Sequence, residues 1–368
     1  MPVIANHSMK PPNRMYGLDI LRFFLASAVM IYHFGYFGPI ATGATSEETS
    51  LGPMVFAGRY GVLVFFLVSG FVITMSLAGR DWKEFLWART RRLMPTLMLC
   101  ATATFLVVTL FDNTAVAEVG PLWLKSVSFL PIMFGGDSLD DSYWSIAYEM
   151  RFYALVALLM FVGMTRHLDA VLLALSLFGI VLGIGFGRVE MACAVLFPYT
   201  SLFALGVLLA TRVRDGASAR WAILFLIHAT LALAMLYLFG QLGRGVMGLI
   251  QSALVLSSSI GLLVLAAKIQ LPANWHCVAG ALGMISYPLY LLHQRIGYVL
   301  INALADSGLA VGWIIPAAMM TMVALAYIVA EYFERPLSMF LGRGGLRLAP
   351  GLRKSPQGET SFQSTVRH

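Results

Sequence analysis

The chain of 368 residues is 59% hydrophobic and only 12% charged, with a mean hydropathy of +0.80, whereas a soluble domain carries about 25% charged residues. Apolar runs long enough to cross about 30 Å of hydrocarbon as helices recur along its whole length, which excludes a soluble enzyme on a single anchor. The net charge of +7 does not point to nucleic acid, because the arginines fall in short loops, where orientation in a membrane accounts for them.

The predicted fold is all-α, a polytopic integral membrane bundle of about ten transmembrane helices. The spans are read at 16–37, 60–79, 93–111, 142–163, 168–186, 193–211, 220–239, 245–267, 278–301 and 310–333. Residues 1–15 are then a cytoplasmic N-terminus and 16–336 the membrane domain. The Gly-, Arg- and Ser-rich stretch 337–368 is expected to be a disordered cytoplasmic tail lying against anionic lipid. The first run is read as a retained span and not a cleaved leader, because the apolar stretch between Arg22 and the small residues from Ala26 is only "FFL". With the N-terminus inside, Arg14, Arg80, Lys83, Arg89, Arg91, Arg92, Arg166, Arg212, Arg214, Arg220 and Lys268 all fall on the cytoplasmic side. The opposite side receives acids such as Glu47, Glu118, Asp140 and Asp141. Cys100, Cys193 and Cys277 have no metal-ligand spacing and read as packing residues. No metal site is expected.

In the first span, "RFFLASAVMIYH" places Arg22 and His33 eleven residues apart. At about 100° per residue both lie on one helix face, with a rise of about 16 Å between them. An arginine near the bilayer centre costs roughly 2.5 to 3.5 kcal/mol even on a lenient insertion scale, so this face needs a partner or a purpose. In the second span, Ser69 beside Gly70 reads as a close-packing contact rather than a nucleophile. Before the third span, "WARTRRLMP" puts Arg89 and Arg92 one turn apart, a spacing that suits bidentate grip of phosphate. Long outer loops are expected at about 38–59 and 112–141. The fourth span carries Glu149 in "SYWSIAYEMRFY" and the ninth His293 in "ISYPLYLLHQR", both about two turns in from the outer end. Glu149, His293 and His33 are therefore expected to converge in one outer layer as an acid–base site. The alternative is a set of unrelated structural polar residues: a snorkelling Arg22, a Glu149–Arg151 pair and interface histidines.

These motifs together resemble the membrane-bound acyltransferase-3 family, which O-acylates cell-surface sugars and related acceptors. "LDILRFFLASAVMIYH" is similar to its first-helix Arg–His signature, and "GVLVFFLVSGFVIT" to its second-span Gly- and Ser-containing motif. "RTRRLMP" is similar to its paired-arginine motif, and "YWSIAYEMRFY", with Trp144, Ser145, Glu149 and Tyr153, to its Trp–Ser–Glu pattern. "SYPLYLLH" and "FERP" resemble its last two spans. The resemblance implies acyl-coenzyme A, most often acetyl-coenzyme A, as donor, with transfer completed at the outer side of a bacterial inner membrane. Arg22, Arg89 and Arg92 would hold the donor. His33 would be the general base, with Glu149 orienting it, and Trp144, Tyr153, Tyr290 and His293 would shape the acceptor site. Partners are the acyl donor, a carbohydrate or glycan acceptor and membrane lipid. The fused outer domain of some members is not expected here. The competing readings are a secondary transporter with a proton relay, or a non-catalytic glycan export module.

Overall fold

The computed structural model describes residues 14–37, 55–77, 79–112, 114–128, 137–188, 192, 196–240 and 242–343. The chain runs as α1 (Tyr16–Tyr32), α2 (Gly61–Met75), α3 (Trp82–Phe111), α4 (Val116–Ser128), α5 (Trp144–Phe161), α6 (Leu168–Ile180) and α7 (Thr200–Asp215). It continues as α8 (Ala219–Phe239), α9 (Gly245–Lys268), α10 (His276–Leu292), α11 (Arg295–Asp306), α12 (Val311–Val329) and α13 (Arg335–Arg343). Among the described residues, nine helices are long and apolar enough to cross a membrane. The protein is an all-α membrane bundle, since helices satisfy their own backbone groups where no water can.

The expected sixth span corresponds to α7, which has 16 residues and rises about 24 Å, short of a full crossing. It is deeply enclosed: Thr200 to Leu208 are all buried. Its close partner is α2, and glycines make the approach possible. A Cβ on Gly70 would stand 2.1 Å from the Phe203 carbonyl oxygen, and one on Gly206 2.1 Å from that of Leu67. In lipid, where apolar surface gains nothing by leaving its surroundings, such backbone approach is what joins helices. Gly70 is thus the packing residue of its motif, and the neighbouring Ser69 has another partner.

Three boundaries differ from expectation, each for a local reason. The third span was expected from residue 93, but α3 starts at Trp82, where Asp81 and Glu84 form a reciprocal capping box (Glu84 N–H to Asp81 Oδ1, 2.7 Å). Arg89 and Arg92 therefore sit two to three turns inside a continuous helix, not before one. The ninth span was expected as one helix over 278–301, but it breaks after Leu292 into α10 and α11. Buried Asp140 holds the break: its Oδ2 accepts from Arg295 N–H at 3.0 Å, while Oδ1 accepts from Ser142 N–H and Oγ. The expected outer loop 112–141 contains α4, tied to α3 by Trp123 Nε1–H donating to Thr102 Oγ1 at 3.1 Å. Most of the other long loop lies outside the described residues. The expected tail begins with helix α13, and its remainder from 344 is likewise outside them. Cys100 is buried, as packing requires, Cys277 is exposed, contrary to a packing role, and Cys193 lies outside the described residues.

The α2–α7 contact predicts that Gly70→Val forces the two backbones apart, at about 1 to 3 kcal/mol for overpacking. Thermal unfolding in detergent should show a lower Tm for this variant, while Val72→Ile, half-buried on the same helix, should melt near wild type. Equal Tm values for wild type and Gly70→Val would contradict the close approach.

Candidate active site

Three spaces lie in series through the bundle. A vestibule at one end is lined by Arg14, Asp19, Arg22, Arg92, Glu334 and Arg335. It shares Arg22 and Arg92 with a narrow lower cavity of about 60 Å³, walled by Ser69, Arg89, Glu149, Tyr153 and Tyr290. Tyr290 in turn also lines an upper pocket of about 240 Å³, with His33, Arg59, Asp141, Trp144 and Gln294. The face of α1 that carries Arg22 into the lower cavity carries His33 into the upper pocket, as the eleven-residue spacing requires. At His33 the helix widens into a π turn, His33–Phe37, a distortion frequent at functional sites.

The lower cavity is dominated by cations. Arg89 is 7% exposed; its Nη2 donates to Ser76 Oγ at 2.6 Å, and its Nε is buried with no hydrogen-bond partner. The guanidinium lies over the rings of Phe85 and Tyr153, 5.5 and 5.7 Å from their centroids. Among the described residues, none of Arg22, Arg89 and Arg92 is in an ion pair within 4.0 Å. Guanidiniums are all donor and no acceptor, so three of them around one cavity suit an anion. The carboxylates of Glu149 and Glu334 line the same spaces, but Glu149 makes its hydrogen bonds elsewhere. Its Oε1 accepts from Ser69 Oγ at 2.7 Å and from the Tyr153 hydroxyl one turn below. These bonds turn the carboxylate towards α2 and its own helix.

The expected outer layer is therefore corrected. Glu149 belongs to the lower cavity and does not orient His33. The groups that do meet are His33 and His293: His33 Nδ1 and His293 Nε2 are 2.7 Å apart, with ring centroids at 4.9 Å and planes within 20°. His293 is fully buried, and its Nδ1 lies 2.8 Å from the Tyr290 carbonyl oxygen. Tyr153, expected at the acceptor, lies instead under Arg89. Trp144 lines the upper pocket, and Tyr290 stands between the two chambers with its hydroxyl 2.8 Å from Ser145 Oγ. Two residues, Arg59 of the upper pocket and Ser145 of the lower cavity, carry no role in the sequence analysis. Arg59 precedes α2 outside any motif, packed against the rings of Tyr32, Phe56 and Tyr60 at 5.6, 5.0 and 5.7 Å. Ser145 was read only as part of a pattern. Among the described residues no cluster of His, Cys, Asp and Glu could hold a metal ion.

The acyltransferase domain family matches residues 15–331, a stretch that contains every lining residue of the lower cavity and the upper pocket. YrhL of Bacillus subtilis (strain 168), to which a peptidoglycan O-acetyltransferase role is ascribed, is 29% identical over 167 residues, covering 40% of this chain and 24% of that protein. The chain thus spans about a quarter of the length of this relative. No solved structure matches the chain.

The two donors on Glu149 Oε1 predict a split between substitutions. Glu149→Gln keeps a carbonyl oxygen for Ser69 and Tyr153 and should unfold within about 1 kcal/mol of wild type. Glu149→Leu strands both buried hydroxyls and should cost about 2 to 4 kcal/mol, at roughly 1 to 2 per unsatisfied group. Chemical or thermal unfolding in detergent measures both, and identical stability of the two variants would contradict the hydrogen-bond assignment.

Proposed function

Because the chain belongs to the acyltransferase-3 family, we propose that it is a membrane O-acyltransferase that takes an acyl group, acetyl in the simplest case, from cytoplasmic acyl-coenzyme A. The acceptor in this reading is a hydroxyl of a glycan at the outer face of a bacterial inner membrane. The observation that carries it is the set of three arginines around the lower cavity, none of them ion-paired among the described residues. Coenzyme A brings a phosphate-rich head and a long thin arm. In this proposal Arg22, Arg89 and Arg92 hold the phosphates by charge-assisted hydrogen bonds, and the pantetheine arm points along α1 towards His33. The distance suits it, since Arg22 and His33 are separated by a rise of about 16 Å along the helix. Tyr290 and its bond to Ser145 lie across that route, so the arm displaces this contact when it passes.

At the upper pocket, neutral His33 takes the proton of the acceptor hydroxyl while the oxygen attacks the thioester carbonyl. A carbon–oxygen bond forms, the carbon–sulfur bond breaks, and His33 returns the proton to the departing thiolate, so the products are an ester and free coenzyme A thiol. Trp144 offers a ring face beside the site for stacking on a sugar. A glycan acceptor is supported by the peptidoglycan activity ascribed to the B. subtilis relative and by the aromatic wall. This reading sets the N-terminus and the arginine-lined end in the cytoplasm, with lipid and acceptor as the other partners and no nucleic acid.

Purified protein in lipid, given labelled acetyl-coenzyme A and a bacterial glycan fraction, should release thiol and label the glycan. His33→Ala should lower that turnover by about a hundredfold or more, the usual contribution of a general base. Equal thiol release and labelling by wild type and His33→Ala would overturn the assignment. Arg92→Ala should weaken coenzyme A binding by roughly 1.5 to 3 kcal/mol, the scale of a hydrogen bond to a charged group, in a protein that still inserts and folds. Unchanged affinity by titration calorimetry would remove the phosphate-holding role.

A further inference from the structure

The hydrogen bonds around His293 settle which nitrogen of each imidazole carries a proton. The Tyr290 carbonyl oxygen can only accept, so His293 Nδ1, 2.8 Å away, is the protonated nitrogen. His293 is fully buried, and its ring nitrogens face a carbonyl and another imidazole, with no carboxylate among their partners. A second proton would make it a buried charge without a counter-ion, which is costly. His293 is therefore neutral, and its Nε2 is an acceptor. The proton in the 2.7 Å contact then belongs to His33, whose Nδ1–H donates to His293. In neutral His33 this places the basic lone pair on Nε2.

We propose that His293 is the positioning residue for His33, fixing it in the Nδ1–H tautomer so that Nε2 is the nitrogen that accepts the substrate proton. The proposal rests on the reading of His33 as general base. In the familiar catalytic triad a carboxylate holds the imidazole in this way and stabilises its charged form. Here the holder is uncharged. It fixes the tautomer and ring plane but leaves the imidazolium without an anion on Nδ1, so the proton is readily passed on to the thiolate. The charged groups lining the same pocket are Arg59 and Asp141. The break between α10 and α11 makes the arrangement rigid. His293 caps the end of α10, two residues before the Arg295 N–H that Asp140 accepts, and Tyr290, which receives its Nδ1–H, lies one turn earlier on the same helix.

The test uses full-length protein in lipid nanodiscs labelled with [15N]histidine, with the His33 signals identified by their loss in His33→Ala. Wild type should show His33 protonated at Nδ1 and bare at Nε2. In His293→Leu, which removes the acceptor, His33 should revert to the Nε2–H form that histidine side chains ordinarily favour. His293→Gln offers a carbonyl oxygen to His33 and an amide N–H to Tyr290, and should retain the Nδ1–H form. Turnover should follow the tautomer: His293→Leu loses kcat by about a hundredfold or more with the donor KM unchanged, and His293→Gln recovers to within about tenfold of wild type. A His33 protonated at Nε2 in wild type, or a tautomer unmoved by His293→Leu, would overturn the positioning role while leaving the base assignment standing. Wild-type turnover by His33→Ala would instead overturn the base assignment and the catalytic part of this inference together.

Discussion

A charge in hydrocarbon is expensive unless it is answered, and that constraint organises this protein. Among the described residues most polar groups inside the bundle have a partner or line one of three neighbouring spaces, although the Tyr143 and Tyr298 hydroxyls and His228 Nε2 are buried without a hydrogen-bond partner. Asp140 receives three hydrogen bonds and holds two helix starts. Glu149 receives two and joins α5 to α2. The two histidines answer each other. What stands out is the arginine set of the lower cavity: Glu149 and Glu334 line the same spaces, but among the described residues no ion pair within 4.0 Å joins them to Arg22, Arg89 or Arg92, and Arg89 meets a serine hydroxyl and aromatic faces. Buried cations without a close ion pair lower stability, so their retention points to a ligand that supplies negative charge.

The helix pattern serves this arrangement. The α2–α7 pair, brought together by Gly70 and Gly206, forms a rigid wall on which Ser69 presents its hydroxyl to Glu149. Helix α3 carries Arg89 and Arg92 on one face because its capping box starts it well before the arginines. The break after α10 turns His293 towards α1. The cations thus lie low and the imidazoles high along the same stripe of α1, and a linear substrate with an anionic head and a reactive far end matches that order.

Much of this was legible in the sequence because it depends on spacing along single helices. The bundle, the shared face of Arg22 and His33 and the pairing of Arg89 with Arg92 follow from hydropathy and a period of 3.6 residues. Contacts between helices were less accessible. Depth along a helix placed Glu149 beside His33, but rotation about the helix axis decides which neighbour a side chain meets, and Glu149 faces Ser69. Depth placed His293 correctly, and the missing element was its direct bond to His33. The break at His293 depends on Asp140, 155 residues away, and has no local signal. Arg59 sits in no motif, and its place beside His33 comes from how the start of α2 packs against α1.

The central claim is that one extended anionic substrate occupies the lower cavity and reaches His33. An experimental structure of the protein in lipid with a non-hydrolysable acyl-coenzyme A analogue tests it most directly. The account predicts phosphates against Arg22, Arg89 and Arg92, the Tyr290–Ser145 contact opened, and the acyl carbonyl within hydrogen-bond reach of the His33 pocket. An analogue bound elsewhere, with no phosphate at the three guanidiniums and Tyr290 still closed, would contradict it.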